Sequence, residues 1–258
     1  MRFRNIIAAA LLLFGLLPLG VQAQDQSRLD QVIKSGKLRV CSPGDYKPFS
    51  LSKTDGSFEG IDIDLITAAA KSLGVEVEMV KTSWSKLIDD YVAQCDVAVG
   101  GISVSTERAK RVAFTQAYMV NGKAPITKCE NVAKFQTVAD INKPTVTVIT
   151  NPGGSNERFV RANLPAAKVI VFNDNVTIFD EILKGNADVM ISESVETLVQ
   201  QKIRPGLCAV NPDKPLQYGE MAYLLPRGDM AMKGWFDTWL HLAKASGEYD
   251  RIVDKWMK

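Results

Sequence analysis

The sequence predicts an α/β fold of two lobes, each built on an open, mostly parallel sheet. Three observations carry this. Short apolar or alternating runs are separated by helical segments along the whole chain. The alternation breaks after "APITK" and restarts at "PTVTVIT". A last strand and two helices then follow the second block. Strands joined through helices make crossover connections, and these build parallel sheets.

Taken in order, Met1–Gln24 reads "MRFRNIIAAALLLFGLLPLGVQAQ", with Arg2 and Arg4, an apolar run and small residues near Ala23. This is the pattern of a secretory signal peptide, expected over residues 1–23. Gly15, Pro18 and Gly20 interrupt the run, which argues against a membrane span. No cysteine stands at the cleavage point, so no lipid anchor is expected there.

"QSRLDQVIKSGKLRV" predicts a short helix, a stop at Gly36 and a strand over Lys37–Cys41. "SPGDYKPFS" is Pro/Gly-rich and reads as a loop. "GIDIDLITAAAKSLG" is an amphipathic helix ended by Gly74, and "VEVEMVK" alternates as a strand does. "SWSKLIDDYVAQ" is a helix, "CDVAVGGIS" a strand running into a loop, and "ERAKRVAFT" a short helical turn. The second block reads strand "PTVTVIT", turn "NPGG", helix "SNERFVRANLP", strand "AKVIVF", helix "DNVTIFDEILKG", strand "ADVMIS" and helix "ESVETLVQQKI". "GEMAYLLPRG" then reads as a strand. The last stretch forms two helices, with Trp235, Trp239 and Trp256 on apolar faces.

In such sheets ligands bind beyond the C-terminal ends of the strands. Those ends are "SPGDYKPFS", "GGISVSTER", "NPGGSNE" and "ISESVE", and two facing lobes would bring all four to one cleft.

Composition narrows the function. Removing residues 1–23 takes away Arg2 and Arg4 and no acid, so the formal charge of +2 falls to zero. With no Lys/Arg cluster, a nucleic-acid partner is not expected. The single histidine, His241, falls on the apolar face of a late helix and is expected to be packed or surface-exposed, and neither a Ser-His-Asp set nor zinc-ligand spacing can be built. Of the four cysteines, Cys41 and Cys95 lie in apolar strand-like runs and are expected to be buried free thiols. Cys129 and Cys208 lie in polar surroundings and are expected to form a disulfide.

"GIDIDLITAAAKSLG", "GGISVSTERAKRVAFT" and the strand–"NPGG"–helix unit resemble the family 3 periplasmic solute-binding proteins, the receptors of amino-acid ABC importers. That resemblance implies a Venus-flytrap fold with two hinge strands, near Val120–Thr127 and Gln217–Leu224. It implies one lobe over residues 24–121 plus 222–258 and another over 122–221, in a periplasmic protein. "GDYKPFS", "TSW", "GGIS", "NPGGSNE", "DNVTIF" and the E-x-x-E of "ISESVETL" resemble more closely a branch of secreted dehydratases on this fold. Their substrates are prephenate and arogenate, and no metal or organic cofactor is implied, because aromatisation drives the loss of water and carbon dioxide. An amino-acid-binding transport receptor is the alternative reading.

The site residues follow. Arg108 in "STER" would clamp a carboxylate, since a guanidinium fork matches it bidentately; otherwise such an arginine pairs with its neighbour Glu107. Gly154 and Ser155 open a helix whose free N–H groups suit an anion, and Ser155 reads equally as an N-cap. The resemblance implies that Ser103 and Asn156 also contact the ligand. Tyr46 and Trp84 supply aromatic walls, and Lys123 on the first linking strand offers a second cation for a dicarboxylate. In the receptors the acid at the position of Glu193 holds the ligand's ammonium. In the dehydratases the glutamate at the position of Glu196 is the general acid. Acids here also suit the helix N-terminus. The strand-end acid is usually Asp in these relatives; the longer Glu193 favours prephenate, which carries a keto group where arogenate carries the ammonium.

Overall fold

The structure is a computed structural model that describes residues 27–258; the expected signal peptide lies outside the described residues. Ser27 caps α1 (Arg28–Ser35) by accepting from the Leu29 N–H, and Gly36 ends it at φ 69°. β1 (Lys37–Ser42) follows. The segment read as a loop is partly a small antiparallel sheet of β2 (Asp45–Tyr46), β3 (Ser50–Ser52) and β4 (Phe58–Glu59). Next come α2 (Ile61–Leu73), β5 (Glu76–Lys81), α3 (Leu87–Gln94), β6 (Val97–Ala98), the single turn α4 (Thr106–Ala109) and β7 (Ala113–Phe114).

β8 (Met119–Lys128) leads into the second lobe. After a 3-10 turn at Cys129–Lys134 come α5 (Val138–Ile141), β9 (Thr147–Thr150), α6 (Ser155–Asn163), β10 (Lys168–Val171) and α7 (Ile178–Lys184). β11 (Val189–Glu193), α8 (Ser194–Ile203) and β12 (Leu207–Ala209) complete that lobe. The chain returns through β13 (Gln217–Met221) to β14 (Leu224–Leu225), α9 (Met230–Ala245) and α10 (Glu248–Met257). The second expected linking strand is thus broken at Ala222–Tyr223. β8 and β13 run antiparallel, from Met119 opposite Met221 to Lys123 opposite Gln217.

Both sheets are mixed rather than mostly parallel. The first has the order β5-β1-β6-β14-β7, with β5, β1 and β6 parallel and the other pairings antiparallel. The second has the order β10-β9-β11-β8-β12, with β13 also on β8; β10, β9 and β11 are parallel, and everything on β8 is antiparallel. The parallel strands are those reached through helices. The antiparallel ones are linking strands or strands reached by short returns, which sequence alternation alone does not reveal.

Alternation along the strands buries both faces of the second sheet. Val148 and Ile191 pack with Phe159 on one face, and their neighbours Ile149 and Met190 pack with Phe179 and Ile182 on the other. In the first lobe Leu38, Val40, Ile61 and Leu65 pack with Phe236 and Trp239. Trp235 and Trp256 lie partly buried against that core, and His241 on α9 is surface-exposed.

The expected disulfide joins Cys129 to Cys208. Cys41 and Cys95 are not free thiols: they form a second disulfide, with Cα atoms 5.8 Å apart. α3 packs on β1 and delivers Cys95, just past its end, to Cys41 in the sheet. Their apolar surroundings reflect a buried bond, which a sequence separation of 54 hides.

One buried acid shapes a strand-end turn. Asp62, fully buried in the first turn of α2, accepts from the Gly100 N–H at 2.7 Å, the Gly101 N–H at 2.7 Å and the Tyr118 hydroxyl at 2.8 Å. Gly100 and Gly101 have φ of 122° and 71°, so glycine is required at both. Burial pushes the Asp62 carboxyl up to about 6, against the opposing pull of its three donors. The folded state therefore holds this proton more tightly than the unfolded state. Stability contributed by Asp62 falls as pH rises from about 4 to about 6, by roughly 3 kcal/mol, and is then level. Urea denaturation across that range is expected to show this fall in the wild-type protein and not in Asp62→Asn.

Candidate active site

The cleft between the lobes is lined by side chains from both. β2 contributes Tyr46 from the first lobe, and the loop before α3 contributes Trp84. Their rings meet edge to face at 5.6 Å, Tyr46 stacks on Phe49 at 5.3 Å, and the Trp84 indole donates to Asp45 at 2.9 Å. Ser103 follows the Gly100–Gly101 turn, and Arg108 lies in α4. Arg108 is buried, and its guanidinium donates to the Ser103 carbonyl at 2.7 Å. Glu107 pairs with Lys110 instead, and among the described residues Arg108 has no ion-pair partner. Burial, and then the nearby Arg158, lower the Arg108 guanidinium to about 10, so it stays charged at neutral pH.

The second lobe supplies the rest. Register explains the central contact. β11 and β8 are antiparallel with Glu193 opposite Lys123, and directly paired residues share a face of the sheet. The Lys123 ammonium donates to Glu193 Oε1 at 2.6 Å, to Asn156 Oδ1 at 2.6 Å and to Ser155 Oγ at 2.8 Å. Glu193 Oε1 also accepts from Ser103 Oγ at 2.7 Å. Burial pushes the Glu193 carboxyl up, but Lys123 and the hydroxyls outweigh it and hold Glu193 below the ordinary carboxylate range.

Glu193 is the N-cap of α8, and Glu196 lies within its first turn. Glu196 is 1% exposed. Its Oε2 accepts from Ser192 Oγ, and its Oε1 is buried with no partner among the described residues. Burial raises the Glu196 carboxyl well above its ordinary value, and Asp45 and Glu193 push the same way; Ser192 and Lys123 oppose them. Two carboxyls three residues apart are thus driven in opposite directions, because only one has a cation in contact.

Gly154 is the N-cap of α6 and Ser155 the first helical residue, so the serine is not the cap. The strict glycine is Gly153: its φ is 78°, and an added Cβ would lie 2.6 Å from Ser85 Cα. At Gly154 a Cβ would meet Asn151 Nδ2 at 3.4 Å and Trp84 at 4.0 Å. An inner cavity is lined by Tyr46, Trp84, Asn151, Gly154, Asn156 and Asn175, among others. Ser103 Oγ and Ser155 Oγ meet at 3.1 Å across the lobes, and Asn175 Nδ2 donates to the Asp45 carbonyl at 3.2 Å. On the hinge side a second cavity shares Ser103 and Ser155 with the first and adds Lys123, Glu193 and Arg158.

Of the ten residues expected at the site from the sequence, eight line these two cavities; Arg108 and Glu196 line neither and are joined to them through Ser103 and Ser192. Four were missed. Ser192 is fully buried between Asn156 and Glu196. Asn151 and Asn175 each leave a side-chain oxygen buried at the inner cavity with no partner among the described residues. Arg158 is exposed and has no carboxylate partner among the described residues. Asn151 and Asn175 lie inside motifs already singled out, "NPGG" and "DNVTIF", so position at a strand end was their signal. Among the described residues no group of His, Cys, Asp and Glu is arranged to hold a metal, and no helix is long and apolar enough to cross a membrane.

The ion pair yields a stability prediction. Lys123→Met leaves Glu193 buried without its cation and is expected to cost about 3–5 kcal/mol in urea denaturation. The double variant Lys123→Met/Glu193→Leu is expected to recover most of that loss.

Residues 38–258 match the model of the bacterial extracellular solute-binding proteins, family 3, and the chain belongs to that family. It is 44% identical to the cyclohexadienyl dehydratase of Pseudomonas aeruginosa over 257 residues, which is 99% of this chain and 95% of that protein. The crystal structure of an ancestral amino-acid-binding protein described as a precursor of cyclohexadienyl dehydratase has a TM-score of 0.83 and 34% identity, covering 90% of this chain and all of the other. An ancestral cyclohexadienyl dehydratase has a TM-score of 0.57 and 45% identity, covering 90% and 97%.

Proposed function

We propose that this family 3 protein is a cyclohexadienyl dehydratase of the periplasm, converting prephenate to phenylpyruvate, carbon dioxide and water with Glu196 as general acid. One observation carries the reading: Glu196 is buried, burial raises its carboxyl well above the ordinary range, and one carboxyl oxygen has no partner among the described residues. A receptor has no use for such a group. A dehydratase needs a carboxylic acid that still holds its proton near neutral pH.

Prephenate carries, on one ring carbon, a carboxylate and a pyruvyl side chain that ends in a second carboxylate, and it carries a hydroxyl at the opposite carbon. Arg108, the Ser155 hydroxyl and the first-turn N–H groups of α6 receive the carboxylate end, and Tyr46 and Trp84 enclose the ring. Glu196 Oε1–H protonates the ring hydroxyl. The C–O bond breaks as water leaves, the ring carboxylate's C–C electrons enter the ring, and carbon dioxide departs. Glu196 ends as a carboxylate and regains a proton before the next turnover. The dianion leaves one negative charge on phenylpyruvate and one on Glu196, so charge balances.

The charge pattern supports a dicarboxylate. At the hinge-side end Arg108, Lys123 and Arg158 face one ionised acid, Glu193. That acid already has Lys123 and Ser103 as partners. The amino-acid-binding relatives support a receptor as the second reading.

Two outcomes are expected. Purified protein with prephenate forms phenylpyruvate, read by its absorbance in alkali against an enzyme-free blank, and Glu196→Gln lowers kcat at least about a thousandfold while ligand affinity stays within about tenfold. No product from the wild-type protein, with an amino acid raising its Tm, makes it a receptor. Arogenate is expected to have a kcat/KM at least about tenfold below that of prephenate, because its ammonium finds no free carboxylate. Equal values for the two substrates overturn the assignment of Glu193 to Lys123.

A further inference from the structure

We infer that Ser192 is a positioning residue that fixes which oxygen of Glu196 carries the proton, as the last link of a one-way hydrogen-bond chain from Lys123 through Asn156. The direction of the chain follows from valence. An ammonium has only donors, so the Asn156 amide must turn its oxygen to Lys123, where the distance is 2.6 Å. Its Nδ2 then faces the other way and donates to Ser192 Oγ at 3.3 Å. With an incoming donor on its oxygen, the Ser192 hydroxyl sends its own proton on to Glu196 Oε2. An oxygen that accepts this bond is the carbonyl oxygen of a neutral carboxyl. The acidic proton is therefore left on Oε1, the atom with no partner among the described residues.

The three residues sit on regular elements of the second lobe. Ser192 is fully buried on β11, Lys123 lies on its antiparallel neighbour β8, and Asn156 is in the first turn of α6. The charged and titratable groups that face Glu196 are Asp45 and Tyr46 from β2, Glu193 at the end of β11 and Lys123 on β8. Asp45, Glu193 and burial favour the proton. Ser192 and Lys123 favour the carboxylate left after it is given up. The chain thus stabilises the conjugate base without placing a cation in contact with it, so the acid stays protonated yet can let go.

The test rests on the dehydratase reading for its kinetic arm only. In Ser192→Ala the high-pH limb of the prephenate rate profile is expected to move up by about one to two units. In the same variant kcat falls about ten- to a hundredfold with KM little changed. Ser192→Thr, which keeps the hydroxyl, restores the limb. If the alanine variant does not fold, Ser192→Cys, similar in size and a weak donor, is expected to move the limb the same way. Infrared titration of the carboxyl band that is lost in Glu196→Gln reads the same shift without turnover. A band and limb unmoved in the alanine or cysteine variant overturn the inference, even if stability falls. A wild-type protein without turnover sinks the dehydratase reading instead and leaves Ser192 to be decided by the infrared shift.

Discussion

The buried pair of Lys123 and Glu193 is the contact on which the cleft is organised. It is set by strand register, and each partner is about nineteen-twentieths or more buried. An ion pair this deep adds little net stability, because desolvation of both charges offsets most of their attraction. Its value is organisational. Largely buried, the ammonium takes its acceptors from the protein, and it takes Glu193, Asn156 and Ser155 together. That fixes the first turn of α6 against the end of β11. A solute-binding fold that leaves its strand-end acid free can hold a ligand's ammonium there; here an internal ammonium occupies the position.

The same contact separates the two glutamates. Glu193 and Glu196 are one helical turn apart and almost equally buried, yet one carboxyl is held below its ordinary range and the other pushed well above it. The difference lies in direct contact with Lys123 against contact through a serine and an amide. Chemistry at a buried site is thus decided by a few ångströms of hydrogen-bond connectivity, and the carboxyl one step removed from the cation is the one suited to giving up a proton.

Much of this was legible in the chain. Gly36 and Gly74 mark helix ends because each takes a left-handed conformation, and the alternating runs locate β1, β5 and β9. The cleft loops could be named because strand ends are where such sheets bind ligands. What stayed hidden depends on tertiary distance. The Cys41–Cys95 bond, the antiparallel strands on β8 and the small sheet of β2, β3 and β4 leave no local periodic signal. Ser192 was missed for a related reason: a serine inside an apolar strand reads as a small core residue, and its role appears only when Asn156 is brought beside it. The cation balance was likewise only partly legible, since the pairing of Lys123 with Glu193 and the place of Arg158 on the hinge-side cavity both depend on tertiary distance.

The division of labour between the lobes bears on how a turnover ends. Lys123, Ser155, Asn156, Ser192, Glu193 and Glu196 all belong to the lobe built on β8, while Tyr46, Trp84, Ser103 and Arg108 belong to the other. Direct hydrogen bonds across the cleft, such as Ser103 to Glu193 and Asn175 to Asp45, involve few side chains, so a dianionic ligand bound there would supply much of what holds the halves together. In the proposed reaction, decarboxylation would remove one of its two charges. The glue would then be consumed by the reaction it permits, and escape of phenylpyruvate would follow from the chemistry itself.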